Sequence, residues 1–347
     1  MPRLIIGSLR KSAGKTSVIV GMGQAIQPKR IGYLKPFGDR LLYRKKRLWD
    51  YDAALIENVF QMKDNPEELS LGFDHSKLRF MYTAETIAEK VAELAGQAEE
   101  NRDVLFIEGG REASHGISVH LDTLSIAKQA GGTLILVLSG DEGTLLDDAA
   151  FIKQHLTLDG VDFGGVILNK VHDVEDFKTT YLSAFEEYGI RVRGLLPQRE
   201  ELGRLSVGFL AECIFAKVIA GEEGLGNIVK QIFVGAMSTD AAMRNPFFNK
   251  PDKLVITSGD RSDMILSALQ GETGAIVLTN NILPPANLIS LAKERQIPML
   301  LVAADTYQTA KQVDDTERLL THTDTAKIKL LGELAAEQID IQGLLGG

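Results

Sequence analysis

Cysteine is nearly absent from this sequence, in which Cys213 is the one thiol among 347 residues. A single cysteine cannot form an intramolecular disulfide, which fits a reducing compartment. No apolar run approaches the ~18–20 residues that a membrane-spanning helix requires, and the apolar segment Leu4–Ile6 is too short for a secretory signal. We therefore expect a cytoplasmic protein without a membrane segment.

Basic residues are also in deficit, because 38 lysines and arginines stand against 47 aspartates and glutamates, a net charge of −9. A protein that follows a nucleic-acid backbone needs a basic groove. The acidic residues are spread along the whole chain, so we expect no nucleic-acid partner. The six histidines lack the spacing of a zinc site, so zinc chemistry is not expected either.

Short apolar runs alternate with longer amphipathic segments throughout the chain. The length predicts two domains. Continuous apolar runs are typical of strands covered on both faces, and their alternation with helices predicts a doubly wound α/β fold with a parallel sheet. The strands predicted in the first domain, residues 1–203, are Arg3–Ile6, Arg30–Leu34, Val104–Ile107, Thr133–Leu138 and Gly164–Leu168.

A change of pattern near Leu202 indicates a second, smaller α/β domain, which we place at residues 204–347. Ser206 is in position to cap a helix that continues to about Ala220. Sheets of this kind bind ligands at the carboxyl ends of their strands, where functional residues are therefore expected. The strands predicted in this domain are Ile228–Val234, Lys253–Ile256, Ala275–Leu278 and Met299–Val302.

The clearest functional signal is the segment GSLRKSAGKT at residues 7–16. It follows a predicted strand and opens a predicted helix, where backbone N–H groups and the helix dipole bind phosphate. Leu9 departs from the usual GxxxxGK[ST] spacing, and either Arg10 or Lys11 could supply a second cation. Lys15 is expected to reach the β- and γ-phosphates, and Thr16 to ligate Mg²⁺. The residues predicted to bind the nucleotide here are Lys11, Ser12, Ala13, Gly14, Lys15, Thr16 and Ser17.

Two carboxylates are candidates for binding the metal. Glu108 follows a predicted strand and precedes two glycines, a position from which it would point into the ligand crevice. Asp52 lies at the predicted start of a helix, where it either ligates the metal or caps the helix.

Five separated motifs agree with one known family: AGKT (13–16), YLKP (33–36), DA (52–53), IEGG (107–110) and ILNK (167–170). The first domain thereby resembles the dethiobiotin synthetase and cobyrinate diamide synthase branch of P-loop proteins. The resemblance implies that ATP is the ligand and that Mg²⁺ is held by Thr16, Asp52 and Glu108. It also implies that Lys35 acts beside the loop lysine on phosphate or substrate, and that Asn169 reads the adenine.

The second domain resembles the DRTGG domain. SGDRSD (258–263) carries that family's Asp-Arg pair, and LTNN (278–281) stands where Thr-Gly-Gly is usual. Asparagine tolerates positive φ better than most residues, so the turn could survive the two asparagines. We expect a ligand crevice near Asp260, Arg261, Thr279 and Thr306. The alternative is structural, with Asp260 capping the next helix and Arg261 tying down a loop.

The order of the two domains resembles the N-terminal regulatory half of long-form phosphotransacetylases. Because the chain ends at Gly347, acetyl transfer is not expected of it alone. One hypothesis is a regulatory protein that senses Mg-ATP, forms a homodimer, binds a small-molecule effector in its second domain and acts on a metabolic enzyme partner. The alternative is an ATP-dependent, carboxylate-activating ligase of the dethiobiotin synthetase type, with Lys15 and Lys35 around the transferred phosphoryl group.

Overall fold

The computed structural model describes residues 1–44, 47–62, 64–65 and 68–346, without the side chains of residues 42–47. The chain folds as two compact units. The first contains Met1–Arg199 together with Leu320–Gly347, and the second contains Glu200–Leu319.

The first unit is built on a parallel sheet. Among the described residues, its strands are β1 (Arg3–Gly7), β2 (Ile31–Leu34), β3 (Leu41–Arg44), β4 (Arg47–Asp50), β5 (Val104–Glu108), β6 (Thr133–Ser139), β7 (Asp162–Val171) and β8 (Val192–Pro197). Six of them pair side by side in the order β2-β5-β1-β6-β7-β8, all in parallel, while β3 and β4 form a separate antiparallel hairpin. This order confirms the predicted doubly wound α/β class.

Helices cover both faces of this sheet. They are α1 (Lys15–Ala25), α2 (Tyr51–Phe60), α3 (His75–Met81), α4 (Ala84–Ala98), α5 (Thr123–Ala130), α6 (Glu142–His155), α7 (Val174–Thr180), α8 (Leu182–Glu187), α14 (Thr325–Gln338) and α15 (Ile341–Leu344). Ile5 and Ile107 share a buried cluster with Ile87 of α4 and Ile126 of α5. Since strand side chains alternate between faces, Leu4, Ile6 and Phe106 are buried on the opposite face, toward α1.

The last residues of the chain differ from the predicted division. We assigned residues 320–347 to the second domain, whereas the structure packs α14 along α1 of the first unit. The buried residues Ile328, Leu331 and Ala335 lie on one stripe of α14. The chain is further tied to the sheet where the Asp340 N–H donates to the Arg193 carbonyl at 2.7 Å. An amphipathic stripe requires an apolar partner but does not specify which sheet supplies it.

The second unit is a smaller α/β sandwich. Its described strands are β9 (Leu205–Ser206), β10 (Lys217–Ala220), β11 (Ile228–Val229), β12 (Gln231–Val234), β13 (Lys253–Ser258), β14 (Thr273–Thr279) and β15 (Met299–Leu301). Five form a sheet in the order β10-β15-β14-β13-β12, parallel except for β10, and β9 pairs with β11. Its helices are α9 (Val207–Cys213), α10 (Thr239–Met243), α11 (Ser262–Gln270), α12 (Ala286–Glu294) and α13 (Thr306–Asp314).

Two local predictions for this unit were wrong. Ser206 caps α9 as expected, but the helix ends at Cys213 rather than near Ala220, and Phe215 adopts a φ of 52° that no α-helix continues through. The predicted strand Ile228–Val234 is two strands, because Ile228–Val229 pairs with β9 whereas Gln231–Val234 pairs with β13.

Membrane association was not expected from the sequence. Within the residues that the structure describes, no helix combines the length and apolarity that crossing a bilayer would require.

Candidate functional site

The loop between β1 and α1 ends at Gly14. This residue is the N-cap of α1, with φ 96° and ψ 27°, and no side chain of the described residues caps the helix start. A Cβ at this position would lie 2.3 Å from Nδ2 of Asn169, in a left-handed conformation that L side chains avoid. The first N–H groups of α1 are therefore left open to an anion.

Lys15, the first residue of α1, is 7% exposed. Its Nζ donates to the Ser8 hydroxyl at 3.1 Å and to the Arg111 carbonyl at 3.3 Å. Burial lowers the pKa of Lys15, although the charge of Glu108 opposes this effect. The ammonium thus lies against neutral oxygens in a dehydrated position, where a phosphate oxygen would be a stronger partner.

The outer part of the loop is anchored by the end of β7. Asn169 donates from Nδ2 to the Ala13 carbonyl at 2.9 Å, and Lys170 donates from Nζ to the Ser12 carbonyl at 2.7 Å. In the structure Asn169 thus fixes the loop backbone, and its role in reading adenine stays a prediction. Lys11 is exposed at the loop surface.

Both Leu9, where the loop departs from the usual pattern, and Arg10, a candidate second cation, have partners in the first unit. The side chain of Leu9 is half-buried against the hydrophobic cluster beneath the sheet. Arg10 forms an ion pair with the buried Asp148 of α6, with an Nη2–Oδ1 distance of 2.8 Å. Arg10 is therefore directed toward α6.

Glu108 lies at the carboxyl end of β5, 1% exposed, between two hydroxyl groups. Thr16 donates from Oγ1 to Oε1 at 3.0 Å, and Tyr33 donates from its hydroxyl to Oε2 at 2.9 Å. Burial raises the pKa of Glu108 to about 7, although the charge of Lys35 opposes this shift. The structure thus brings together two of the three predicted metal ligands, Thr16 and Glu108.

Asp52, the third predicted ligand, is neutralised by two cations. Lys35 contacts its Oδ2 at 2.5 Å, and Nη1 of Arg40 contacts its two oxygens at 3.2 and 3.1 Å. Burial alone would raise the pKa of Asp52, but Lys35 and Arg40 outweigh it and lower this pKa to about 2. Asp52 remains close enough to Glu108 for its charge to raise the pKa of that residue.

Asp50, rather than Asp52, caps the helix. Its Oδ1 accepts the N–H groups of Asp52 and Ala53 at 2.9 and 3.2 Å, while Oδ2 accepts the N–H of Asp39 at 3.0 Å. The alternative role considered for Asp52 is therefore wrong. Asp39, Asp50 and Asp52 form a carboxylate cluster whose ligand atoms lie within 4.8 Å of one another. Lys35 sits among them, with Nζ 2.6 Å from Asp39 and 3.4 Å from Asp50.

The donor set fits a hard divalent cation. Mg²⁺ prefers hydroxyl, carboxylate and phosphate oxygens, and Thr16 and Glu108 offer the first two beside the open start of α1. The carboxylate cluster offers more oxygens, but its charge is already balanced in part by Lys35 and Arg40.

In the second unit, two hydroxyl groups meet where the carboxyl end of β14 faces the start of α13. The buried Thr279 lies 3.0 Å from the Thr306 hydroxyl, Oγ1 to Oγ1. Arg261 donates to the carbonyls of Gly235 and Met237 at 3.3 and 2.9 Å, the loop-tethering role considered for it. Asp260 is exposed and does not occupy the N-cap position of α11; Arg261 does, without a side-chain cap hydrogen bond.

The asparagines that replace the usual glycines keep the turn. Asn280 and Asn281 both adopt left-handed conformations, with φ of 58° and 53°. Their N–H groups donate to the carbonyls of Ala304 and Val302 at 2.9 and 2.8 Å. The expectation that asparagine tolerates this turn is confirmed.

Several residues of the first site were not predicted. Tyr33 precedes Lys35 by two positions at the end of β2, and this spacing alone would have placed both on one face. The segment that leads into α2 contributes Asp39, Arg40 and Asp50. The spacing of residues in this segment does not predict that their side chains meet. Lys170 adjoins Asn169, and the motif containing it drew attention only to the asparagine.

The first strand of this parallel sheet runs through an uncapped glycine loop into a helix, beside a buried lysine and a Thr–Glu pair. These features define a P-loop protein of the nucleotide-binding class. Two family models match the chain: an AAA domain over residues 2–206 and a DRTGG domain over residues 209–316. The chain belongs to this AAA domain family and carries a DRTGG domain after it.

Curated relatives match both units together. The phosphate acetyltransferase of Pseudomonas aeruginosa is 23% identical over 361 residues, covering 95% of this chain and 50% of the relative. The phosphate acetyltransferase of Synechocystis is 25% identical over 369 residues, covering 99% and 51%. The chain thus spans about half the length of these relatives. The predicted resemblance to phosphotransacetylases is confirmed at this level.

Among solved structures, the cobyrinic acid a,c-diamide synthase of Mycobacterium smegmatis, with a bound ATP analog and magnesium, is similar to the chain at 14% identity. The similarity covers 58% of this chain and 88% of that one, with a TM-score of 0.38.

Proposed function

We propose that the first unit binds Mg-ATP through its phosphate loop, and that the chain is a nucleotide-responsive regulatory protein related to the phosphate acetyltransferases. The observation that carries the proposal is the placement of Lys15. Its ammonium is buried against neutral oxygens at the open N-terminus of α1. Within the described residues no carboxylate forms a direct ion pair with this ammonium, and a phosphate at the loop would supply such a partner.

The residues around the loop have separate roles in this proposal. Lys15 binds the β- and γ-phosphates, Thr16 and Glu108 hold the metal, and Asn169 lies beside the base. Bound Mg²⁺ would neutralise charge on the phosphates. Asp52 can join the metal only if Lys35 or Arg40 moves toward the phosphates, since these cations now occupy its oxygens.

The regulatory part of the proposal assigns an effector or partner site to the second unit, near Asp260, Arg261, Thr279 and Thr306. In this proposal the chain is a homodimer that acts on a metabolic enzyme. Nucleotide binding would shift the equilibrium between two conformational arrangements of the chain. Such coupling requires different affinities for the two arrangements, typically worth about 1–3 kcal/mol. Solution scattering with and without Mg-ATP tests this part. An unchanged scattering profile and oligomeric state would count against regulation.

A carboxylate-activating ligase is the second candidate, favoured by the cations beside the loop. Lys35 and Arg40 hold Asp52, and Arg111 approaches Asp39 with its Nε 3.9 Å from Oδ2. The same cations would suit a carboxylate substrate. ADP release measured with a panel of amino-acid carboxylates separates the two functions, because a regulator should release ADP at a rate independent of the added carboxylate.

The central experiment is a calorimetric titration of Mg-ATP into the whole chain. We expect micromolar binding by the wild type and a roughly 100-fold weaker affinity for Lys15→Ala, the loss expected when a charged hydrogen bond to phosphate is removed. Lys128→Ala, which removes an exposed lysine on α5, is the matched control and should bind like the wild type. Absence of binding by the wild type would reduce the loop to a structural scaffold and refute the proposal.

A further inference from the structure

Tyr33 is a completely buried tyrosine at the end of β2, with 0% exposure. In the parallel register, Tyr33 lies opposite Phe106 of β5. Glu108 is two residues further along β5 and therefore on the same face of the sheet. The ring of Tyr33 extends along this face until its hydroxyl meets Oε2 of Glu108 at 2.9 Å.

Each carboxylate oxygen of Glu108 accepts a hydrogen bond from a different hydroxyl group. Oε2 accepts from Tyr33 at 2.9 Å, and Oε1 accepts from Thr16 at 3.0 Å. In the contact with Glu108 the Tyr33 hydroxyl is the donor, because an ionised carboxylate oxygen can only accept. A fixed donor on one oxygen determines how the carboxylate plane is oriented, because the two oxygens cannot exchange without breaking that bond.

A buried tyrosine hydroxyl needs a hydrogen-bond partner in any protein, so burial by itself gives Tyr33 only a structural role. The residue to which Tyr33 donates suggests an additional role. Tyr33 donates to the carboxylate that also contacts Thr16. Groups that orient ligating carboxylates in this way commonly govern metal affinity without touching the metal.

We propose that Tyr33 is a positioning residue for the nucleotide-bound metal: it holds Oε2 of Glu108 so that Oε1 remains directed at Thr16 and the metal position. The inference rests on the proposed function, because it concerns the metal of Mg-ATP. It assigns Tyr33 a role in affinity for the metal complex, distinct from affinity for the nucleotide alone.

The test compares ATP binding in the presence of Mg²⁺ and in the presence of EDTA, using calorimetry on Tyr33→Phe. This substitution removes the hydroxyl and keeps the ring. We expect about tenfold weaker binding of Mg-ATP, the loss typical when a partner of a metal ligand is removed, and less than about a twofold change with EDTA. Tyr181→Phe, which lies at the junction of α7 and α8, is the matched control and should change neither affinity.

A double substitution checks the route of the effect. In a Glu108→Ala background, Tyr33→Phe should cause no further loss of Mg-ATP affinity, since the side chain that accepts the Tyr33 hydroxyl is gone. Three outcomes would overturn the proposal and leave Tyr33 a structural residue. The first is an equal loss of ATP affinity with Mg²⁺ and with EDTA, and the second is a double variant whose losses are additive. The third is a Tyr33→Phe chain that fails to fold.

The wild-type titration separates this inference from the proposed function. If the wild type does not bind Mg-ATP, the proposed function fails first and the inference fails with it. If the wild type binds Mg-ATP and Tyr33→Phe binds it equally well, the proposed function stands and the inference alone is wrong.

Discussion

The two units place their candidate sites at equivalent positions, the carboxyl ends of parallel strands, but fill them with different chemistry. In the first unit, the buried side chains at this position include Lys15, Lys35, Asp52 and Glu108. In the second unit, the buried Thr279 at the end of β14 contacts Thr306 at the start of α13 through their hydroxyl groups. The fold therefore provides a position for a ligand, and the side chains decide whether the buried part of that position is charged.

The two sites also differ in what holds their shape. Buried charges are costly unless each has partners, so the first site is fixed by a network in which Lys35 touches three carboxylates. The second site is fixed by the backbone. The Gly259 position lies against the carbonyl of Ile282, and Asn280 and Asn281 form a left-handed turn. Substitutions should therefore act through charge in one unit and through backbone geometry in the other.

The largest effect is expected for Asp52→Asn, which leaves Lys35 and Arg40 without their shared carboxylate. Breaking a buried ion pair costs about 3 kcal/mol of the free energy of unfolding at neutral pH. Because the pKa of Asp52 is lowered to about 2 in the folded state, its stabilisation is complete above the ordinary pKa of 3.8 and is lost as the pH falls through about 2.

Hydrogen exchange in the strands of the first unit measures this difference, which should shrink between pH 4 and 2 within the range set by those two pKa values. Asp159→Asn, at an exposed position of the same unit, is the control. Equal stability of Asp52→Asn and wild type at neutral pH would show that charge does not hold the first site.

Gly259→Ala should have the next largest effect, now in the second unit. A Cβ at Gly259 would lie 1.8 Å from the Ile282 carbonyl oxygen, so the chain must shift. We expect a loss of about 2 kcal/mol in unfolding free energy, as for other overpacked sites. Exchange in β13 and β14 measures the loss.

The matched control for this substitution is Gly226→Ala, where an added Cβ meets no atom within 4 Å. If both alanine variants were equally stable, close backbone approach would not define the second site.

The smallest effect is expected at Asn281, whose φ is 53°. Asn281→Ala places alanine in the left-handed region, where it has no polar side chain to hydrogen-bond locally. We expect the free energy of unfolding to fall by about 1 kcal/mol. Asn281→Gly should be as stable as the wild type or slightly more so, because glycine adopts this conformation freely. Thermal unfolding of the pair measures the difference. A more stable alanine variant would mean that the turn does not depend on backbone conformation.

Local patterns predicted much of the first site. The glycine and lysine of the loop lie next to each other in sequence, and Glu108 ends an apolar strand, so short-range rules suffice to place Gly14, Lys15 and Glu108 near one crevice. Asp50 and Asp52 show the limit of such rules. Two aspartates separated by one residue are equally suited to cap a helix, and only the observed start of α2 decided for Asp50.

The sequence by itself determined the α/β class, the order of two domains, the phosphate loop and the turn of the two asparagines, because each depends on residues that are close together in the chain. The tertiary structure decided what depends on contacts between distant residues. It joined Tyr33 to Glu108, seated Lys35 among three carboxylates, and packed α14 on α1. A buried polar group or an apolar stripe must find a partner, and sequence shows the need for one without showing which residue will meet it.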